Sequence, residues 1–229
     1  MNRSALMRLA LGVGVLMVAI LALTACGGGG GSEQEEAKAR PLPEDHKALH
    51  AGEYRTEEFK PSASFRVGKG WLTAPPEGSD VLQLEYGETA GLAFTNVQGF
   101  FKPTESGTTQ VVKPPKDLAD WFQQHPYIKT SEPEPITVGG VKGVEFDLTL
   151  AEDLPKDYAS ECGTDCVDLL SAQGSGHPIA YEGDKTHYVV LEDVKGATVT
   201  IDYGGLDTDF DKVAPQAQKL VDSVKWAGS

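Results

Sequence analysis

Basic residues are scarce. The 229-residue chain has 20 Lys and Arg against 34 Asp and Glu, a formal net charge of −14. Such a surface repels phosphate backbones and anionic headgroups, which disfavours nucleic-acid binding and electrostatic docking on a membrane. The signatures of common chemistries are missing as well. No phosphate loop, dinucleotide fingerprint or H-E-x-x-H zinc motif occurs. No internal repeat is long enough for a solenoid or propeller.

A full-length membrane span is also lacking. Residues 9–25 are apolar apart from Gly12, Gly14 and Thr24, follow Arg3 and Arg8, and lead into glycines and acids without a basic stop-transfer cluster. A permanent span wants roughly 20 apolar residues. A positive start, an apolar middle and a small-residue end predict instead an export signal over 1–25.

That signal ends in Leu23-Thr24-Ala25-Cys26. The tetrad resembles the lipobox of bacterial lipoproteins. The resemblance implies that the Cys26 thiol is lipidated, that the leader is cut just before it, and that the membrane is a partner through the lipid. Acyl chains contribute about 0.8 kcal/mol per buried CH₂, so two or more chains anchor a protein where one holds it marginally. The expected location is the cell membrane, lipid-anchored on its extracytoplasmic face. Loss of Arg3 and Arg8 with the leader leaves 18 basic residues against 34 acidic ones. Residues 26–50 are rich in Gly, Glu and Pro with no apolar period, and predict a flexible linker. Residues 51–229 then suit a single globular domain with its own core.

Within that domain period-two patterns dominate. Strands are expected at 64–67, 71–73, 81–86, 92–101, 136–138, 144–150, 187–193 and 197–203, with hairpins at GETAG, GGVKG and VKG. In VEFDLTL, Val144, Phe146, Leu148 and Leu150 share one face. Two segments read as helices. PPKDLADWFQQHP opens with prolines and carries Leu118, Trp121 and Phe122 at helical spacing. DTDFDKVAPQAQKLVDSVKW sets Phe210, Val213, Ala217, Leu220, Val221 and Val224 on one stripe behind a capping aspartate, with Pro215 in its first turn. The expected class is α+β: a mostly antiparallel sheet packed with a few helices, including a C-terminal one.

Candidate chemistry is thin. Cys162 and Cys166 lie close together in the irregular acidic stretch 152–175, and in an exported chain that spacing predicts a disulfide. The alternative is copper(I) or zinc handling by Cys162 and Cys166, with His177 as a further ligand for copper. An envelope enzyme built from His177, His187 and the loop acids is a second alternative. QGSGH lacks the first glycine of a nucleophile elbow, and DTDFD lacks the glycine and closing glutamate of an EF-hand. The DTDFD acids suit a helix N-terminus, and His125 suits the C-terminus of the preceding helix as a positive charge. His46 and His50, at i and i+4, fall in the polar linker. Trp71, Trp121 and Tyr127, with Trp226, either line a ligand cleft or fill the core. No metal site is expected from spacing, and no cofactor is implied.

The order of hairpins, the mid-chain helix near PKDLADWF and the ending LVDSVKW are similar to the PsbP-like fold, as in LpqN-type lipoproteins of actinobacteria. The resemblance spans residues 54–226 by pattern, and the loop with Cys162 and Cys166 departs from it. It implies a non-enzymatic accessory or binding module at the cell envelope, with an envelope protein or small ligand as its partner.

Overall fold

Alternating side chains make the strands, and the order of those strands makes two separate cores. The computed structural model describes residues 39–44, 46–74, 77–155, 158–160, 163, 165–172, 175–176 and 179–228. The export signal, Cys26, Cys162 and His177 lie outside them. The chain opens with β1 (Arg40–Pro41), β2 (Gly52–Arg55), β3 (Ala63–Val67), β4 (Trp71–Thr73), β5 (Val81–Tyr86) and β6 (Ala90–Asn96). Next come β7 (Gly99–Thr104), β8 (Gly107–Val112) and α1 (Leu118–Gln124). The middle holds β9 (Ile128–Thr130), β10 (Glu134–Val138), β11 (Val141–Leu150), β12 (Cys166–Asp168), β13 (Leu170–Ala172), β14 (Ser175–Gly176) and β15 (Ile179–Tyr181). The end comprises β16 (Asp184–Val194), β17 (Ala197–Leu206), α2 (Asp207–Asp222) and β18 (Lys225–Trp226).

The main sheet runs β10-β11-β16-β17-β6-β5-β4, with β9 also paired to β11. Its described ladders are antiparallel. With two helices among the described residues, one of them near the C-terminus, the class is α+β. One face of this sheet packs on α2 and on the small sheet β1-β2-β3-β18, burying Leu82, Leu84, Phe94, Val189, Ile201 and Tyr203 among others. The opposite face packs Phe146, Leu148, Tyr188 and Val190 against α1, β12, β13 and β15. Burial on both faces explains the four consecutive buried residues Tyr188 to Leu191, because a central strand between two cores has no wet side.

Several expectations shift. Residues 92–101 do not form one strand: β6 ends at Asn96, and the chain passes at β7 into a different sheet, β14-β13-β7-β8. The switch is fixed by backbone bonds, Val97 N–H to Thr198 O at 2.9 Å and Phe101 N–H to Leu169 O at 2.9 Å. Packed structure also starts before the expected boundary at residue 51. Arg40 and Pro41 pair in parallel with β2, Ala48 bridges to Leu72, and Leu49 is buried. These residues lack an apolar period because isolated contacts, not a buried face, hold them.

α2 ends sooner than the sequence implies and is capped differently. Its N-cap is Leu206, whose side chain makes no capping bond, while Asp207 and Asp209 lie in the first turn, where acids complement the helix dipole. Pro215 is interior, where it removes one helical hydrogen bond. The helix stops at Asp222; the Ser223 hydroxyl donates to Leu220 O at 2.7 Å and accepts from Arg66 N–H at 2.7 Å. Trp226 therefore leaves the helical stripe and enters β18, opposite Ala63.

There its indole N–H donates to Val138 O at 3.1 Å and its ring meets Phe94 edge-on at 6.4 Å. The residue joins the C-terminus to both the small sheet and the main one. Trp226→Ala is expected to lower stability by about 3–5 kcal/mol, as for other large-to-small core changes. Leu206→Ala, at a 43% exposed position, is expected to change it by less than about 0.5 kcal/mol. Chemical denaturation of the two variants checks the contrast.

Candidate functional site

The four strands β16, β17, β6 and β5 set their side chains in rows across the α1 face of the sheet. One row reads Tyr188, Asp202, Ala93, Gln83, and the next reads Thr186, Gly204, Gly91, Glu85. The third reads Val190, Thr200, Thr95, Val81. In the middle row the two central strands carry only aspartate and alanine. In the second they carry two glycines facing each other. A sheet surface without side chains at its centre is a depression, and the structure holds one of about 620 Å³ there.

Neither glycine has room for a side chain. A Cβ on Gly91 would lie 2.9 Å from Leu84 O, and one on Gly204 would collide with the Lys185 carbonyl. The floor of the groove is thereby backbone, which allows a ligand close approach.

The groove is acidic, and polar atoms at and beneath its floor are unpaired. Glu85, Glu88, Asp184 and Asp202 line it, together with Thr186 and Tyr181. Asp202 Oδ1, Tyr188 OH, Thr95 Oγ1 and Thr200 Oγ1 are sealed from solvent and have no hydrogen-bond partner among the described residues. Buried polar atoms are normally paired, so four such atoms on adjacent rows call for a partner. Burial pushes the Asp202 carboxyl up to about 7 and raises Asp184 as well. The Tyr188 hydroxyl is pushed up by burial and then by the Asp202 charge.

The expected residues are dispersed rather than gathered. His187, on the opposite face, places Nδ1 2.8 Å from Asp147 Oδ1 and Nε2 3.1 Å from Glu145 Oε2. Its ring stacks on Tyr203 at 4.9 Å. Lys185 pairs with Asp147 at 2.8 Å. Burial raises the Asp147 pKa, but hydrogen bonds from Lys185 and His187 outweigh it and leave the carboxyl below its ordinary value. Both ring nitrogens of His187 are occupied by carboxylates, so the ring is clamped in a polar pair network. Among the loop acids, Glu152 pairs with Lys129 at 2.8 Å and Asp168 is buried on β12. The structure brings His187 together with Glu145 and Asp147 and with neither Glu152 nor Asp168, and His177 lies outside the described residues.

Trp71 is fully buried in the α2 core against Tyr86, at 5.0 Å. Trp121 and Tyr127 pack on the other core, where Tyr127 meets Tyr158 at 4.8 Å and its hydroxyl donates to Thr104 O at 3.1 Å. These aromatics stand on opposite faces of the sheet and form no common cleft. His125 closes α1 as expected by position but not by charge. Burial lowers its pKa to about 4, so it is neutral at pH 7; its Nδ1 accepts from Tyr127 N–H at 3.3 Å. Cys166 is buried, with its sulfur 3.3 Å from Ser160 Oγ. Asp209 of DTDFD bonds Lys212 and Thr89 at 2.6 Å each, in keeping with a helix start. His46 lies 3.6 Å from Glu85 in an exposed pair. Among the described residues no group of three His, Cys, Asp or Glu is arranged to hold a metal ion.

Sequence reasoning passed over Asp202. In TVTIDY it stands at an alternation step that reads as solvent-facing, and the glycine pair that places it beside a groove comes from strands more than a hundred residues apart. The only local signal was GG at 204 and 205 inside a strand, which marks close backbone approach.

No family model and no curated protein matches the sequence. Among solved structures, the chain is similar to the solution structure of cyanobacterial PsbP (CyanoP) from Synechocystis sp. PCC 6803. Identity is 13% and the TM-score 0.41, over 81% of this chain and 98% of that one. It is also similar to the crystal structure of LpqN, involved in cell envelope biogenesis of Mycobacterium tuberculosis. There identity is 12% and the TM-score 0.38, over 77% of this chain and 91% of that one. These neighbours are of the PsbP-like and LpqN kinds that the sequence pattern resembles.

Asp202 and His125 give stability opposite dependences on pH. A carboxyl raised above its unfolded value holds its proton in the folded state, so between about pH 4 and 7 it makes stability fall as pH rises. A histidine lowered to about 4 leaves the unfolded state with more protons between about pH 4 and 6.5, so it makes stability rise with pH. Each is worth on the order of 1.4 kcal/mol per pH unit in its window. Relative to the unsubstituted protein, Asp202→Asn is expected to gain stability as pH rises from 4 to 7. His125→Gln is expected to gain it as pH falls from 6.5 to 4. Urea unfolding of both across this range reads the signs directly.

Proposed function

We propose that the protein is a lipid-anchored extracytoplasmic lipoprotein whose folded domain acts as a non-enzymatic binding or accessory module at the cell envelope. The observation that carries the binding half is the acidic groove floored by Gly91, Ala93 and Gly204, whose half-buried Asp202 has no partner among the described residues. A cleft of a few hundred Å³ with a few convergent polar groups is the usual form of a ligand site. The anchoring half is supported by LTAC at 23–26 behind a charged start and an apolar run.

In this reading, Cys26 becomes the first residue of the mature chain, and the glycine-rich segment behind it gives the domain reach from the surface. Cys162 and Cys166 form a disulfide that pins a local turn, since closing so short a loop removes little chain entropy. Such a domain needs no membrane-binding face of its own, and its acidic excess serves solubility and selection against anionic surfaces.

Three measurements test the reading. Cys26→Ala is expected to leave an unprocessed precursor without acyl mass, and a mature mass with acyl groups still attached would overturn lipidation at this residue. Alkylation without reduction is expected to leave Cys162 and Cys166 unlabelled, and labelling of both would overturn the disulfide. For the binding role, crosslinking in living cells is expected to join the domain to a specific envelope partner.

A further inference from the structure

We propose that the groove at Asp202 takes a primary ammonium group carried on a small, partly apolar scaffold. The proposal rests on the binding-module reading and supplies the chemistry of its ligand. The charge of the groove decides the sign. Its described lining holds four carboxylates, Glu85, Glu88, Asp184 and Asp202, and no Lys, Arg or His, so a cation is drawn in and an anion repelled.

The unpaired atoms decide the kind of cation. Asp202 lines the groove with one of its carboxylate oxygens sealed from water and unpartnered, and a carboxylate so placed is costly until a charge-assisted donor reaches its other oxygen. An ammonium brings three N–H donors. That number suits the acceptors the groove presents, the Asp202 carboxylate with Thr186 and Asp184 on the neighbouring strand β16. A guanidinium is planar and best met by a fork of two carboxylate oxygens, whereas one of the Asp202 oxygens is sealed under the groove. A divalent metal wants several oxygen ligands brought to one point, and among the described residues no such group of His, Cys, Asp or Glu exists.

The walls decide the scaffold. Ala93 contributes apolar surface, and Tyr181, 44% exposed, stands at the groove, where its ring face suits a cation. The facing glycines let the ligand lie directly on the sheet backbone. A short alkyl chain or an amino sugar fits this space of about 620 Å³.

The test uses the full chain in non-ionic detergent and four probes: n-butylammonium, tetramethylammonium, butanoate and n-butanol. Backbone amide shifts are followed at Gly91, Gly204 and Asp202. The expected result is saturable shifts with n-butylammonium, at least tenfold weaker binding of tetramethylammonium, which lacks donors, and no saturation with butanoate. Asp202→Asn is expected to weaken n-butylammonium at least tenfold, and Glu85→Gln about two- to threefold, with Glu152→Gln unchanged. Equal binding of the two cations, or an Asp202→Asn variant that folds and binds undiminished, overturns the proposal. If Asp202→Asn fails to fold, the ratio between the two cations and the Glu85→Gln loss decide it. Saturation by butanoate or n-butanol with no response to n-butylammonium overturns the ammonium assignment while leaving a ligand groove in place. Silence from all four probes overturns the proposal and removes the groove as support for a binding module.

Discussion

Burial of the main sheet on both faces is the constraint from which the rest of the structure follows. Two cores, one under α2 and one under α1, share β16 as their common wall. A strand in that position has to be apolar on both sides, and Tyr188 to Leu191 are. Along the same strands coverage is uneven, and the polar groups gather where it thins. On the α2 face they meet as His187, Glu145, Asp147 and Lys185, fully paired with one another. On the α1 face they remain as Asp202, Tyr188, Thr95 and Thr200, unpaired. The contrast separates a structural cluster from a receptive one.

The unpaired set carries a cost that a folded protein keeps for a reason. A buried carboxylate without a donor destabilises the fold whenever it is ionised, and its raised pKa is the measure of that penalty. Gly91 and Gly204 extend the same logic, since strand glycines weaken a sheet and yet here leave the floor open. Both features lower stability and both shape one groove. That coincidence ties the proposed binding role to particular residues.

Legibility from the sequence followed the range of the interactions. The hairpins around GETAG, GGVKG and VKG were visible because their partners lie a few residues apart, and the VEFDLTL alternation was visible because one face is dry. The position of α1 was marked by its prolines and by the helical spacing of Leu118, Trp121 and Phe122, and in the structure Asp117 caps it by accepting from Asp120 N–H at 2.8 Å. What stayed hidden depends on distant chain. The exit of Trp226 from the helix needs Ala63 and Val138, the break after Asn96 needs Leu169 and Thr198, and the short strands β12 to β15 carry too few residues to show a period. The neutral state of His125 was hidden because its burial comes from tertiary packing, not from the helix it ends. The groove was the least legible feature, since its floor is made of absent side chains from two strands joined only by register.

The central claim is that Asp202 is a half-buried, unpaired carboxyl facing a groove, with one oxygen sealed from solvent. Carbon-13 NMR of the aspartate side-chain carboxyls across pH, assigned by comparison with Asp202→Asn, tests it most directly. The account predicts a midpoint near 7 for Asp202 in the ligand-free protein, moving down when an ammonium probe binds. A midpoint near 4 in the free protein would mean that this carboxyl is solvated or already paired, and would contradict the account.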